Sequence, residues 1–160
     1  LLEASGTVDE AEYTSCKVRV SEVDDVFELY EEMRIADFKE IIGLDQHPWT
    51  AVRESFTVSQ KKFSLIDREG KLIAMFGVAA THVPTVGCVW MLGTDRIRFV
   101  KRDFIRNSKA WVNELMGDYR CLVNLVSSSN KISMRWLKWL GADFLREKPK
   151  GYLEFMIPKI

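Results

Sequence analysis

Two side chains stand next to apolar runs at places where they could move a proton. His82 lies in the polar stretch after one apolar run, and Asp95 follows Gly-Thr at the end of another. An imidazole titrates near neutral pH and a carboxylate can accept a proton, so both are candidates for acid–base catalysis. Each has a commoner structural explanation, because most single histidines lack a catalytic partner and an Asp at this place often caps a turn. His47, before Pro48, is expected to hydrogen-bond locally at the start of a helix.

A basic stretch is the second feature that could form a functional site. Its members precede or begin a predicted helix and are Arg96, Arg98, Lys101, Arg102 and Arg106. Positive charge and free amides at a helix start favour a bound anion such as a phosphate. The carboxylates of Asp95 and Asp103 partly offset that charge. A solvated helix start is the commoner explanation for such a basic stretch. The stretch alone therefore does not define a site.

The bulk composition excludes several classes of protein. The 160 residues are 47% hydrophobic and 11% aromatic, which indicates one ordinary globular domain. Lys plus Arg and Asp plus Glu each number 23, so no net charge attracts nucleic acid, and no nucleic-acid-binding motif is present. No run approaches the roughly 18 apolar residues that span a membrane.

The three cysteines indicate the compartment. Cys16, Cys88 and Cys121 are an odd number, lack metal-ligand spacing and lie in or beside apolar runs. This pattern predicts reduced, buried thiols, no metal site and a cytoplasmic location.

Residues 1–15 are set apart from the rest. They are acidic and polar, with no initiator Met, no basic start and no apolar run of the kind found in a signal peptide. We expect this segment to be disordered or to derive from an added tag. Residues 16–160 are predicted to form a single domain.

Hydrophobic periodicity predicts the first half of that domain. Cys16–Val20 alternates as a half-buried strand does. A helix follows, with apolar residues from Val23 to Ile41 at a period near 3.6, and it ends at Gly43. Pro48 begins a second helix. Residues 63–66 and 71–80 then form a hairpin around a polar turn.

The second half alternates strands and helices. Residues 87–92 and 121–126 are short apolar runs typical of buried strands. Between them lies a helix that includes Phe104, Ser108 and Leu115 and ends at Gly117. Asn130 caps another helix, which ends at Gly141, and a final hairpin turns at residues 149–151. The order β-α-α-β-β-β-α-β-α-β-β predicts an α/β fold, with one mixed sheet and helices on both faces.

One segment carries a resemblance to a known family. Asn130-Lys-Ile-Ser-Met-Arg-Trp-Leu-Lys-Trp-Leu-Gly141 resembles the strand-to-helix segment of the GNAT superfamily, the acyl-coenzyme-A-dependent N-acyltransferases, and the whole element order agrees. More narrowly, residues 90–95, 104–115 and 124–141 resemble a GNAT-like family from short-tailed phages that includes internal virion proteins.

The GNAT resemblance implies a site for an acyl-coenzyme A donor. Two sheet strands would splay apart, the donor's pantetheine arm would pair with Trp90–Gly93, and Asn130 would lie near the thioester sulfur. The loop from Thr94 to Arg106 would hold the phosphates. The implied donor-binding residues are Trp90, Met91, Leu92, Gly93, Thr94, Arg102, Arg106, Asn107 and Ser108.

The sequence departs from the family pattern at three places. Family members present glycines to the pyrophosphate, whereas this sequence has Arg106 and Ser108 at the corresponding positions. The family's proton-donating Tyr corresponds to Leu137, and only Ser133 or Tyr119 remain as substitutes. No carboxylate lies within residues 88–92, so Asp95 or His82 would have to act as the base. We therefore expect acetyl-coenzyme A to bind weakly or not at all.

Two functions follow from the resemblance. The first is an N-acyltransferase that uses acetyl-coenzyme A or another acyl-coenzyme A and an unidentified amine acceptor. The second is a catalytically inactive GNAT-like module, without cofactor, that binds a phage or host protein during assembly. A phage-encoded chain would lie in the host cytoplasm or the virion interior. Both hypotheses require that the strand containing Leu92 separates from the strand containing Asn124.

Overall fold

The structure is a computed structural model that describes residues 10–12 and 15–160. Residues 10–12 form a short strand beside residues 17–19. The rest of the segment predicted to be disordered, residues 1–9, 13 and 14, lies outside the described residues. For those positions the expectation stays a prediction.

One mixed sheet organises the described chain. Its strands are β1 (Glu10–Glu12), β2 (Cys16–Val20), β3 (Ser59–Asp67), β4 (Leu72–Ala80), β5 (Val86–Gly93), β6 (Cys121–Ser127), β7 (Asp143–Lys148) and β8 (Tyr152–Pro158). Their order across the sheet is β1-β2-β3-β4-β5-β6-β8-β7. Neighbouring strands are antiparallel except for β5 and β6, which are parallel.

Helices cover both faces of the sheet. They are α1 (Val23–Glu32), α2 (Ile35–Gly43), α3 (Pro48–Val58), α4 (Lys101–Met116) and α5 (Lys131–Trp139). Leu29 and Val52 pack with Met75 of β4 in one core under α1 and α3. Trp111 and Leu137 belong to the larger core under α4 and α5. The predicted α/β architecture is confirmed.

The prediction of a single helix from Val23 to Gly43 is wrong, because the structure has two helices there. Met33 and Arg34 take extended backbone angles, with ψ of 133° and 147°. The Arg34 amide donates to the Gly93 carbonyl at 2.9 Å, and Met33 forms an isolated bridge with Thr94. This tertiary pairing with the end of β5 interrupts the helix, although the apolar period continues through it.

Strands β5 and β6 are paired at their first three residues and then separate. Their pairing covers only Val86↔Cys121, Gly87↔Leu122 and Cys88↔Val123. From Val89 onward β5 has no ladder with β6, while β6 continues to pair with β8 as far as Ser127. The separation on which both hypotheses depend is present, and it begins at Val89, three residues before Leu92. We call the gap between residues 89–93 and residues 124–127 the notch.

The connection after the notch is shorter than predicted. A 3₁₀ turn over Asp95–Phe99 is capped by the Thr94 hydroxyl, which accepts from the Arg96 amide. Helix α4 begins at Lys101. The amides that lack a partner within the helix are therefore those of residues 101–103, and Arg106 lies in the second turn of α4, not in a loop.

Candidate functional site

Backbone groups of β5 face the notch at alternate residues. The Val89 carbonyl accepts from the Asn124 side chain across the notch, and the Thr94 amide donates to Ile73 on the opposite side. Because backbone groups alternate in direction along a strand, Met91 faces the notch with Val89 and Gly93, whereas Trp90 and Leu92 face β4. Met91 thus offers one N–H and one C=O to a ligand.

Asn124 closes the inner end of the notch. Its Nδ2 donates to the Val89 carbonyl at 2.6 Å, and its Oδ1 accepts from the Leu125 amide at 2.8 Å. One side chain therefore satisfies a free backbone group on each strand at the point where the ladder ends. An amide does this well because it carries both donors and an acceptor.

Helix α2 spans the outer end of the notch with two carboxylates. Asp37 Oδ2 accepts from the Gly93 amide at 2.7 Å and from Arg34 Nε at 2.7 Å. Glu40 Oε1 accepts from the Ser127 amide and from Asn130 Nδ2, each at 3.1 Å. Residues three apart share a helix face, so α2 can bind the tip of β5 and the tip of β6 together.

Glu40 has the electrostatics of a proton acceptor. Burial raises its pKa, and the nearby Asp37 carboxylate acts in the same direction, whereas its hydrogen bonds and Arg34 oppose this. Its second oxygen, Oε2, accepts no hydrogen bond from any residue in the described ranges. A partly buried carboxylate with a raised pKa is a common feature of a general base.

A cavity of about 520 Å³ occupies the notch and is lined by residues of β5 and β6 and of the helices α2, α3 and α5. Met91 and Asn124 are among its lining residues. Glu40 lines it on the α2 side, and Ser133 and Leu137 line it on the α5 side. Neither of the bulky residues next to the notch closes it: Trp90 donates its indole N–H to the Ser59 hydroxyl, and Phe99 is 73% exposed.

The structure separates the three predicted catalytic residues. His82 is exposed in the connection between β4 and β5, at the paired end of β5. Gly93 lies at the other end of the strand, about 23 Å from Val86 at about 3.3 Å per residue. Asp95 is exposed just beyond Gly93. Asn130 caps α5 as predicted, by accepting from the Ser133 amide at 3.2 Å. It does not line the notch, and its link to the notch is the hydrogen bond that its Nδ2 donates to Glu40.

The predicted donor-binding residues fall into three groups. Trp90, Met91 and Leu92 line the notch. Gly93 and Thr94 already use their backbone groups, with Asp37, Arg34 and Ile73 as partners. Arg102 and Arg106 are exposed on α4, whereas Asn107 and Ser108 of the same helix are buried. The Asn107 side chain donates to the Asp103 carbonyl, and the Ser108 hydroxyl accepts from the Trp136 indole N–H.

Among the proposed substitutes for the missing Tyr, only Ser133 lies at the notch. It lines the cavity one turn before Leu137. Tyr119 lies beyond α4 at the paired end of β5, where its hydroxyl donates to Gln60. Cys88 also lines the cavity, but burial raises the pKa of its thiol, which disfavours the nucleophilic thiolate.

Comparison with solved structures identifies this arrangement as the GNAT fold. The GNAT domain of S. lividans PAT superposes with a TM-score of 0.67 at 16% identity, over 94% of this chain and 97% of that chain. A GNAT-family acetyltransferase from Bacillus anthracis gives 0.66 at 13% identity, over 93% and 98%. AAC(6')-Ib in complex with ribostamycin and coenzyme A gives 0.66 at 15% identity, over 91% and 94%. The chain has the GNAT fold.

A sequence family supplies the second comparison. Residues 71–148 match a family described as "Bacteriophage T7, probable scaffold protein Gp13". That match agrees with the phage resemblance read from the sequence. A search of curated proteins finds no match.

No helix in the described ranges is long and apolar enough to cross a membrane. Those ranges also contain no metal-ligand cluster of three or more His, Cys, Asp or Glu side chains.

Sequence reasoning missed Asp37, Glu40 and the full role of Asn124. The two carboxylates stand among other charged residues of a predicted helix, so no local pattern distinguishes them from solvent-facing side chains. Their function in the structure depends on the break after α1, which brings α2 across the notch.

Proposed function

We propose that the chain is an N-acyltransferase-like protein that binds the pantetheine arm of an acyl-coenzyme A in the notch. The observation that supports this most is the unpaired backbone of Met91 on an open cavity. An extended ligand with amide groups can add to such an edge as a strand would. The Met91 amide would also be placed to stabilise an oxyanion formed at the thioester carbonyl.

Glu40 is the proposed general base in this mechanism. Its free Oε2 and raised pKa suit it to accept a proton as the acceptor amine attacks the thioester. The coenzyme A thiolate then leaves, and Ser133, which lines the cavity, is the polar side chain proposed to lie beside its sulfur. Asn130 would act through its cap on the helix that carries Ser133. Asp95 and His82 stay as weaker candidates for the base, because neither lines the cavity.

Weak donor affinity is part of the proposal. The first turn of α4 offers no glycine, and Lys101 and Arg102 place long side chains where a backbone cradle would form. Charge attracts the pyrophosphate, but its close approach to the amides is hindered. We expect a dissociation constant of about 0.1–1 mM, or about −5 kcal/mol.

Calorimetric titration with acetyl-coenzyme A tests the binding step. Ser133→Phe, which fills the cavity, should abolish binding. Arg135→Phe is the matched control, because Arg135 is exposed on the same helix and does not line the cavity. Equal binding by both variants would contradict the notch as the donor site.

Glu40→Gln tests the chemical step. We expect turnover of any accepted amine to fall by about 10²–10⁴-fold while the affinity for acetyl-coenzyme A is unchanged. Turnover that survives this change would remove Glu40 from the mechanism. A loss of donor affinity instead would assign Glu40 to binding.

A second candidate function is an inactive module in phage assembly. The match to a scaffold-protein family favours it. So do exposed apolar side chains on α1 and α2, among them Val23, Phe27, Phe38 and Ile42. No binding of acetyl-coenzyme A at millimolar concentration would favour this function over the first.

A further inference from the structure

A second cavity lies outside the notch, between α2 and the start of α5. It measures about 630 Å³. We call it the outer groove and define it by Ile35, Lys39, Glu40, Asn130, Lys131 and Ile132. Glu40 and Asn130 form its inner wall, where the one hydrogen-bonds the other.

Glu40 belongs to both cavities. It lines the outer groove and the notch, and it is the only acidic residue among those lining the outer groove. A molecule in the outer groove therefore meets the same carboxylate as a molecule in the notch. Two reactants entering from the two sides would approach each other at this residue, which is the geometry that a two-substrate transfer requires.

The rim of the outer groove has a definite chemistry. Lys39 and Lys131 are exposed, and neither forms an ion pair with a residue that the structure describes. Ile35 is 69% exposed and Ile132 is 73% exposed. The groove thus presents one inner carboxylate, two outer ammonium groups and two apolar side chains.

We propose that the outer groove binds the acceptor, and that the acceptor is a primary amine attached to a carboxylate-bearing, partly apolar backbone. The amine would meet Glu40, and the carboxylate would meet Lys39 or Lys131. A free acidic amino acid and the N-terminus of an acidic peptide share this chemistry. A polyamine does not fit, because its second cation would face two lysines. This inference rests on the proposed function, since it assigns the second substrate of the same site.

Amide chemical shifts of the ¹⁵N-labelled full chain, titrated without any acyl-coenzyme A, test this inference directly. The probes are glycyl-glutamate, free glutamate, and glycyl-glutamate with both carboxyls amidated. We expect the first probe to shift signals of residues 35–40 and 127–132, and the amidated probe to shift them at least about threefold less. A response to free glutamate as well assigns a small-molecule acceptor, and a response to the dipeptide alone assigns a peptide. Equal shifts with the acidic and amidated probes, or none with either, would overturn the inference.

Lysine variants localise the binding. Lys39→Gln and Lys131→Gln should each weaken glycyl-glutamate binding by about threefold, the usual effect of one exposed ion pair. Lys138→Gln is the matched control, because Lys138 is an exposed lysine in the last turn of the same α5 and does not line the groove. Equal weakening by Lys138→Gln would contradict the assignment.

Failure of this inference is distinguishable from failure of the proposed function. The dipeptide titration contains no donor, and the calorimetric titration of the notch contains no acceptor. Donor binding without a dipeptide response leaves the notch in place and removes only this acceptor class.

Discussion

At the residue scale, the buried carboxylate of Asp25 has hydrogen-bond partners that all belong to the fold. Asp25 accepts from Arg19 Nη1 and Nη2 at 2.7 and 2.9 Å, from the Ser64 hydroxyl at 2.8 Å and from the Glu22 amide at 2.8 Å. Burial alone would raise its pKa, but these hydrogen bonds lower it overall. The carboxylate therefore joins β2, β3 and the start of α1 as an ion and has no free oxygen for a substrate.

Asp25→Asn is expected to lower the free energy of unfolding by about 3 kcal/mol, because Arg19 loses its charged partner in a largely buried setting. Urea denaturation at pH 7 measures the loss. The wild-type contribution is complete above the unfolded pKa and is lost as the pH falls through the lowered folded pKa, so the difference between the two proteins should shrink in acid. Asp24→Asn, at an exposed neighbour, should change stability by less than about 0.5 kcal/mol.

The pKa of Glu40 is shifted in the opposite direction to that of Asp25, so its effect on stability should change with pH in the opposite sense. Its folded pKa is raised above the ordinary value of 4.5, so the folded state holds a proton that the unfolded state releases. Ionisation of Glu40 thus costs stability as the pH rises from 4.5 through the raised pKa. Glu40→Gln keeps an acceptor for the Ser127 amide without the charge.

We therefore expect Glu40→Gln to gain stability relative to wild type as the pH rises from 4 to 8, measured by urea denaturation across that range. A stability difference that is independent of pH would show that Glu40 titrates normally. That result would also remove the electrostatic argument for its role as a base.

At the element scale, the sequence predicted the elements whose signals are local. The apolar runs of β4, β5 and β6 appear within a residue or two of their predicted bounds, and Asn130 caps α5 as its type suggests. The prediction of these elements is correct because a buried strand needs a continuous apolar run and a helix start needs a side-chain acceptor. The start of β3 was missed because Gln60, Lys61 and Lys62 are polar.

The break between α1 and α2 could not be predicted in the same way. Its cause is a bond between the Arg34 amide and Gly93, residues 59 positions apart in the chain. Neither Gly nor Pro lies between Val23 and Ile41 to mark it. The carboxylates at the notch depend on that break, so the site was less predictable than the strands around it.

Asp37→Asn tests whether α2 holds the tip of β5. Asp37 is 3% exposed, and the side chain of its partner Arg34 is 19% exposed. An Asn can still accept from the Gly93 amide, but Arg34 is left without its ion pair. We expect a loss of about 3 kcal/mol in unfolding free energy, together with faster hydrogen exchange at Gly93.

Asp95→Asn is the control for that change. Asp95 is an exposed carboxylate near Arg34 that makes no hydrogen bond to β5 in the described structure. It should alter stability by less than about 0.5 kcal/mol and leave exchange at Gly93 unchanged. Equal effects of the two changes would mean that general charge near Arg34, and not the Asp37 contact, holds the strand tip.

At the scale of the whole molecule, the notch divides the sheet into two parts. Strands β1–β5 lie on one side and β6–β8 on the other, and the ladder joining them covers three residue pairs. Asn124 at the inner end and α2 at the outer end supply further links. A ligand arm lying between Met91 and β6 would add contacts to both parts and so bind the folded state in preference to the unfolded one.

Ligand binding in the notch should therefore raise the melting temperature. At a ligand concentration ten times a dissociation constant of about 1 mM, the gain is about 1.4 kcal/mol, or about 3–6 °C for a domain of this size. S-acetyl-pantetheine should give most of this shift, since the arm lies in the notch while the phosphates meet a poor cradle. Adenosine 3′,5′-bisphosphate, which lacks the arm, should give almost none. The reverse order, measured by calorimetric melting, would place the affinity at the basic start of α4 and show that the notch is not the donor's main contact.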